Sequence, residues 1–250
     1  TSILGTIVRN MTGGSVDVEV VVPNGVDAHS FEPSAKDIER VQRADLVVAN
    51  GSGLEGKLAE VLAGTPSGRV FMATDHIDAR DRDPHFWTDP LAVADVVQAL
   101  EPVLTSLGVD VAETAERFVT DLKDIDGVIA GLVASVPESK RSLITGHESL
   151  DYFAARYGFR IVGSVVPGFS SVAEVTAANL AELKSAIAAT GSRVVFTEVG
   201  TPGDVARALA SETGCRVVEL TTHAVPADGL YRSFLLKLAS DIVSALASTE

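Results

Sequence analysis

Apolar positions along the chain alternate between short β-branched runs and longer stretches with helical spacing. The short runs predict strands at Val16 to Val22, Asp45 to Ala49, Arg69 to Ala73, Ser142 to Thr145, Phe159 to Val165, Arg193 to Thr197 and Arg216 to Leu220. Helical patterns lie between nearly all of them, which predicts α/β architecture with parallel sheets covered by helices. Ser34-Ala35-Lys36-Asp37 reads as a capping box ahead of Ile38 and Val41, and Thr88-Asp89-Pro90 as a cap with a first-turn proline ahead of Leu91 to Leu107. Val111 to Val136 keeps helical spacing through Phe118, Leu122, Ile125, Val128, Ile129 and Leu132 with no strand before Ser142, although Gly127 and Gly131 weaken it. It reads as one long helix joining two lobes, with boundaries at 1–109, 110–136 and 137–250.

Composition narrows the class. At 46% hydrophobic and 22% charged residues, a chain of 250 residues folds rather than remaining disordered. No stretch approaches the roughly 18 uninterrupted apolar residues of a membrane-spanning helix. A formal charge of -14 without a clustered basic surface argues against a nucleic-acid partner. The single cysteine, Cys215, excludes an internal disulfide or a thiolate metal cluster and reads as a small core residue. No basic-then-apolar segment opens the sequence at Thr1, as expected of a mature or trimmed product.

The five histidines are placed more tellingly than their number suggests. His29, His147 and His223 each follow a strand candidate, and His85 sits just before the capped helix. Ligands bind at the carboxyl ends of strands in open α/β sheets, so these side chains are candidates to converge on one crevice; the plain alternative for each is a hydrogen-bonded loop residue. His76 is left out of the candidate site, and the Asp75, Asp78, Asp81 and Asp83 around it read as a solvated polar loop.

Asn24-Gly25-Val26-Asp27-Ala28-His29-Ser30-Phe31-Glu32-Pro33-Ser34 resembles the first ligand motif of the cluster A-I, or ZnuA/TroA-like, solute-binding proteins, with Ala28 where that motif commonly has proline. Ala44-Asp45-Leu46-Val47-Val48-Ala49-Asn50-Gly51-Ser52-Gly53-Leu54-Glu55 is similar to a strand and turn of the family. Asp83-Pro84-His85-Phe86-Trp87-Thr88-Asp89-Pro90 resembles its second ligand motif, and Gly146-His147-Glu148-Ser149 with Arg156-Tyr157-Gly158 its third. The resemblance implies two lobes of parallel sheet and helices joined by a rigid helix, with the metal in the interlobe cleft and only modest closure upon it. It implies a monomeric, exported receptor, periplasmic or cell-surface and with lipid anchoring open, that serves an ABC permease and its ATPase. A metal chaperone is a further candidate partner. It also places a first strand of the fold ahead of Thr1.

In the family the fourth ligand is usually aspartate, whereas Glu219-Leu220-Thr221-Thr222-His223-Ala224 aligns a histidine there. The expected ligands are therefore His29, His85, His147 and His223, with Asp228 as the alternative fourth ligand and Glu198 as a supporting carboxylate. Asp27 and Asp151 are further candidates to orient the imidazoles. Four neutral imidazoles suit Zn2+, while Mn2+ or Fe2+ in the same fold would call for oxygen donors. Proton competition is expected to weaken binding below about pH 6. A zinc hydrolase is disfavoured because no H-E-x-x-H motif occurs, and no residues specify an adhesive surface. Gly51-Ser52-Gly53 reads as a plain turn, and Asn10-Met11-Thr12 as a chance match to a glycosylation acceptor.

Overall fold

The structure, a computed structural model, describes residues 1–78, 80, 82–199 and 203–248. Among the described residues six short strands form three parallel pairs: β1 (Val47–Ala49) with β2 (Val70–Met72), β3 (Ser142–Thr145) with β4 (Arg160–Ser164), and β5 (Val194–Glu198) with β6 (Arg216–Leu220). The helices are α1 (Ser2–Thr12), α2 (Ala35–Arg43), α3 (Ala59–Ala63), α4 (Pro90–Ser106), α5 (Ala112–Ala134), α6 (Asp151–Tyr157), α7 (Ala177–Thr190), α8 (Asp204–Thr213) and α9 (Tyr231–Ala247). None of the described helices is long and apolar enough to cross a membrane.

Local signals account for most element ends. Ser34 and Asp37 form the reciprocal capping box of α2, and the Asp89 carboxylate accepts the Leu91 N–H with Pro90 opening α4. The helix expected between Val111 and Val136 is present as α5. Its buried stripe is Ala115, Phe118, Val119, Leu122, Ile125, Ile129 and Val133. Val128 and Leu132, expected on that stripe, are exposed because they sit about 80–120° round the helix from it at 100° per residue.

Two regions depart from the pattern. Val16 to Val22, expected as a strand, forms no regular element, because side chains rather than a neighbouring strand take its carbonyls. Arg9 donates to Val18 O and Arg40 to Val20 O. Nearby, α1 is a helix that strand-focused reading passes over. Thr1 caps its start, Gly13 ends it at φ 61°, and it is buried along most of its length. Its Asn10 donates to Gly229 O and accepts from Tyr231 N, so the glycosylation-like triplet lies in packed structure, with Met11 and Thr12 buried.

The main core runs through α1, α4, α5 and α9 and reaches β3, β5 and β6 through Leu143, Phe196 and Leu220. A second cluster around Ile144, Val195, Leu183 and Leu209 covers the other face of the later strands. Half-buried Cys215 packs against this cluster and donates to Ser192 O, as a core residue should. A cavity of about 670 Å³ lies between α1, the 16–22 segment and β1, away from the histidines.

Candidate metal centre

Two of the four candidate histidines sit in copies of the same local device. The carboxylate of Asp27 accepts the His29 backbone N–H at 3.0 Å, and that of Asp83 accepts the His85 N–H at 2.9 Å, so each Asp-x-His triplet closes an Asx turn that presents the imidazole. The second copy goes further, because Asp83 Oδ1 also lies 2.7 Å from His85 Nδ1. The His85 loop is anchored from behind by Asn50, whose Nδ2 donates to Pro84 O at 2.8 Å, while Glu55 accepts the N–H groups of Asn50 and Gly51. Gly51 is required there: φ is 90°, and a Cβ would stand 2.2 Å from Thr74 Oγ1. The Asn-Gly-x-Gly-Leu-Glu run after β1 thus acts as the support of the His85 loop.

The other two histidines come off strand ends. His147 follows β3 and His223 follows β6, with Glu198 at the end of β5 between them. Glu198 Oε1 lies 3.4 Å from His147 Nδ1 and accepts the Ser149 hydroxyl at 2.8 Å. Room for that carboxylate depends on Gly146, where a Cβ would lie 2.1 Å from Glu198 Oε2. On His223, Nδ1 pairs with Thr222 Oγ1 at 2.9 Å, and Nε2 has no hydrogen-bond partner among the described residues.

The four rings meet. One donor atom from each of His29, His85, His147 and His223 lies within 4.8 Å of the others, and His85 Nε2 stands 3.2 Å from both His29 Nε2 and His147 Nε2. Nitrogens at the corners of a zinc tetrahedron with bonds of about 2.05 Å would be separated by about 3.3 Å. His85, His147 and His223 are buried and His29 is half-buried, leaving the His29 side nearest solvent.

Electrostatics keeps His29, His85 and His223 available. Burial, reinforced by the neighbouring His147, lowers both His29 and His223 to about 4, and burial takes His85 well below the usual imidazole range. Burial also pushes Asp83 up to about 8, aided by the charges of Asp151 and Glu148, so near neutral pH the metal-free chain holds a protonated Asp83 against a neutral His85. A cation at Nε2 would draw that proton to Nδ1 and leave Asp83 ionised. Burial opposes ionisation of Glu198, but hydrogen bonding and charge from His147, with the Ser149 hydroxyl, hold it below the usual carboxylate range. Asp27 is lowered in the same way against burial, by Ser171 and the His29 N–H.

The remaining candidates fall elsewhere. Asp228, the alternative fourth ligand, is exposed, accepts the Leu230 N–H at 3.0 Å and is lowered chiefly by Ser233. His76 stacks on Phe71 with ring centroids 4.4 Å apart, outside the centre. Asp151 bears on the centre through its charge on Asp83. Asp83 itself, read as part of a solvated loop, is buried against His85; Asp81 lies outside the described residues. The Asp-x-His spacing was the available sign of that role.

The family model described as the periplasmic zinc-uptake complex component A matches residues 1–245. The chain is 28% identical to the manganese-binding lipoprotein MntA of Halalkalibacterium halodurans, over 91% of this chain and 79% of that protein. It is 27% identical to the zinc-binding protein TroA of Treponema pallidum, over 96% of this chain and 85% of that one. The solved structure of the Treponema periplasmic zinc-binding TroA superposes with a TM-score of 0.86 at 26% identity, covering 98% of this chain and 96% of the other.

Proposed function

Because this chain belongs to the periplasmic zinc-uptake complex component A family, we propose that it captures a transition-metal ion outside the cytoplasm and delivers it to an ABC importer. The proposed cargo is Zn2+ and the proposed ligands are His29, His85, His147 and His223. The observation that carries this reading is the convergence of the four histidine donor atoms within 4.8 Å.

The chemistry of the donor set favours zinc. Imidazole nitrogens are borderline donors that suit zinc, whereas manganese prefers oxygen. The nearby carboxylates are engaged elsewhere: Asp83 with His85, Glu198 with His147 and Ser149, and Asp27 with the His29 N–H and Ser171. Their part is to fix the rings and offset the dipositive charge. The similarity to a manganese-binding lipoprotein keeps Mn2+ as the second reading, with Fe2+ beside it.

Four protein donors around one point would complete a tetrahedron and leave no position for a reacting water, so we read the chain as a carrier and not a hydrolase. A permease and its ATPase are its proposed partners. Residues 1–109 and 137–250 are the proposed lobes, with 110–136 as the linking segment. The test is elemental analysis of purified protein after exposure to equimolar zinc, manganese and iron, beside a His223→Ala variant. One zinc per chain, weakened by the substitution, is expected; preferential uptake of manganese or iron would overturn the zinc assignment.

A further inference from the structure

His223 follows β6, a strand of the C-terminal half, yet the loop that carries it is fastened to the N-terminal half. The Trp87 indole N–H donates to Thr222 O at 2.9 Å, and the Ser2 hydroxyl donates to His223 O at 3.3 Å. The Asn24 side chain treats Val225 as a strand neighbour would: its Nδ2 donates to Val225 O at 3.0 Å, and its Oδ1 accepts the Val225 N–H at 2.7 Å. The attachment continues into α9, where the Tyr231 hydroxyl donates to Trp87 O at 2.8 Å and Asn10 bridges Gly229 O and Tyr231 N.

His147 is held in the opposite way. Glu148 N donates to Gly168 O at 3.1 Å, Gly168 N donates to the Glu148 carboxylate at 3.0 Å, and Ser149 joins the turn to Glu198. All of these partners lie between residues 147 and 198. Ties of this region to the N-terminal half include the His147 ring nitrogen facing His85, the Ser171 hydroxyl donating to the Asp27 carboxylate and the Tyr152 hydroxyl accepting the Arg80 N–H, none of which holds the backbone of the His147 turn itself.

We infer that Trp87 and Asn24 are positioning residues for His223. On that basis His29, His85 and His223 form one mechanical body, and His147 with Glu198 forms the opposing one. This rests on the proposed metal-binding reading. The split of ligands is then three to one, not the two to two that strand membership suggests, and opening of the cleft detaches the ion from His147 while three imidazoles keep hold of it.

Double-mutant cycles with zinc, read by chelator competition on the full chain, test the positioning role. Positioning through His223 predicts that Asn24→Ala weakens zinc binding by about 10-fold or more in the parent chain and less than about 2-fold in a His223→Ala background. Trp87→Phe, which keeps an aromatic ring and removes the indole N–H, is expected to follow the same rule. Thermal unfolding of each metal-free variant separates loss of positioning from loss of fold, and Asn24→Asp, which keeps the acceptor for Val225 N–H, should recover part of the affinity. Equal losses in both backgrounds, or no loss in the parent, overturn the inference. A parent chain that takes up no zinc overturns the functional reading itself.

Discussion

Two carboxylate–imidazole pairs brace the centre, and they are built differently. Asp83 reaches His85 across two residues of one Asx turn at 2.7 Å, while Glu198 reaches His147 from a different strand at 3.4 Å and only because Gly146 leaves space. The first pair costs little chain entropy, since the turn that aims the ring also supplies its partner. The second depends on the packing of β3 beside β5, which belong to two different strand pairs. A ring braced locally keeps its orientation when distant segments shift. One braced across strands does so only while the two strand pairs stay packed together.

The comparison breaks most readily at the carboxylates. Asp83→Asn and Glu198→Gln should each weaken zinc binding by about 10- to 100-fold, the former more, because its contact with the ring is shorter. Competition titrations showing the reverse order would mean that the strand-borne pair dominates. Gly146→Ala is next: with no space for a Cβ, it should destabilise the metal-free chain by about 1–3 kcal/mol in denaturant unfolding and reduce zinc affinity with it. An unchanged midpoint would show that Glu198 yields easily.

Proton competition sharpens the picture at smaller amplitude. The sequence alone suggested loss of binding below about pH 6. With His29 and His223 lowered to about 4, their protonation should add a steep fall in zinc affinity only toward pH 4, below a gentler decline that starts near pH 8, where metal-free Asp83 takes up the proton that a bound cation expels. Stability of the metal-free chain follows the same shifts. These folded histidine values lie below the unfolded value near 6.5, so the unfolded chain binds more protons at both rings as pH drops; Asp83, raised to about 8 in the fold, offsets part of this, and the melting temperature should show a net decline between about pH 6.5 and 4. A zinc titration that collapses already at pH 6 would show that the rings are more solvated than their burial implies. The smallest effect is expected at exposed Asp228, where Asp228→Asn should change zinc affinity less than about 2-fold by the same competition assay.

What could be read in advance follows from where each interaction is specified. The caps at Ser34 and Asp89, the long α5, and the strands at Ser142–Thr145 and Arg216–Leu220 all depend on neighbours a few residues away, and each matched its expected place. The four histidines were also singled out, three by places after strand candidates, His85 by its place before a capped helix, and all by motif resemblance, although the strand expected ahead of His29 is absent from the described residues. Val16 to Val22 misled because its apolar alternation is that of a strand while its carbonyl partners, Arg9 and Arg40, come from helices. The true supports of the centre were harder to see. Asp83 looked like one of several loop acids, and nothing local to Trp87 or Asn24 reveals a hold on the His223 loop 135 and 201 residues away.

By itself, then, the sequence determined the elements, the α/β class and the candidate donors, since backbone periodicity, capping and side-chain donor chemistry are properties of short segments. Tertiary structure alone decided that the four rings meet, which carboxylate braces which ring, and which half of the molecule holds His223. Those outcomes turn on distances between segments far apart in the chain, set by how the sheets and helices pack and not by any one stretch of residues.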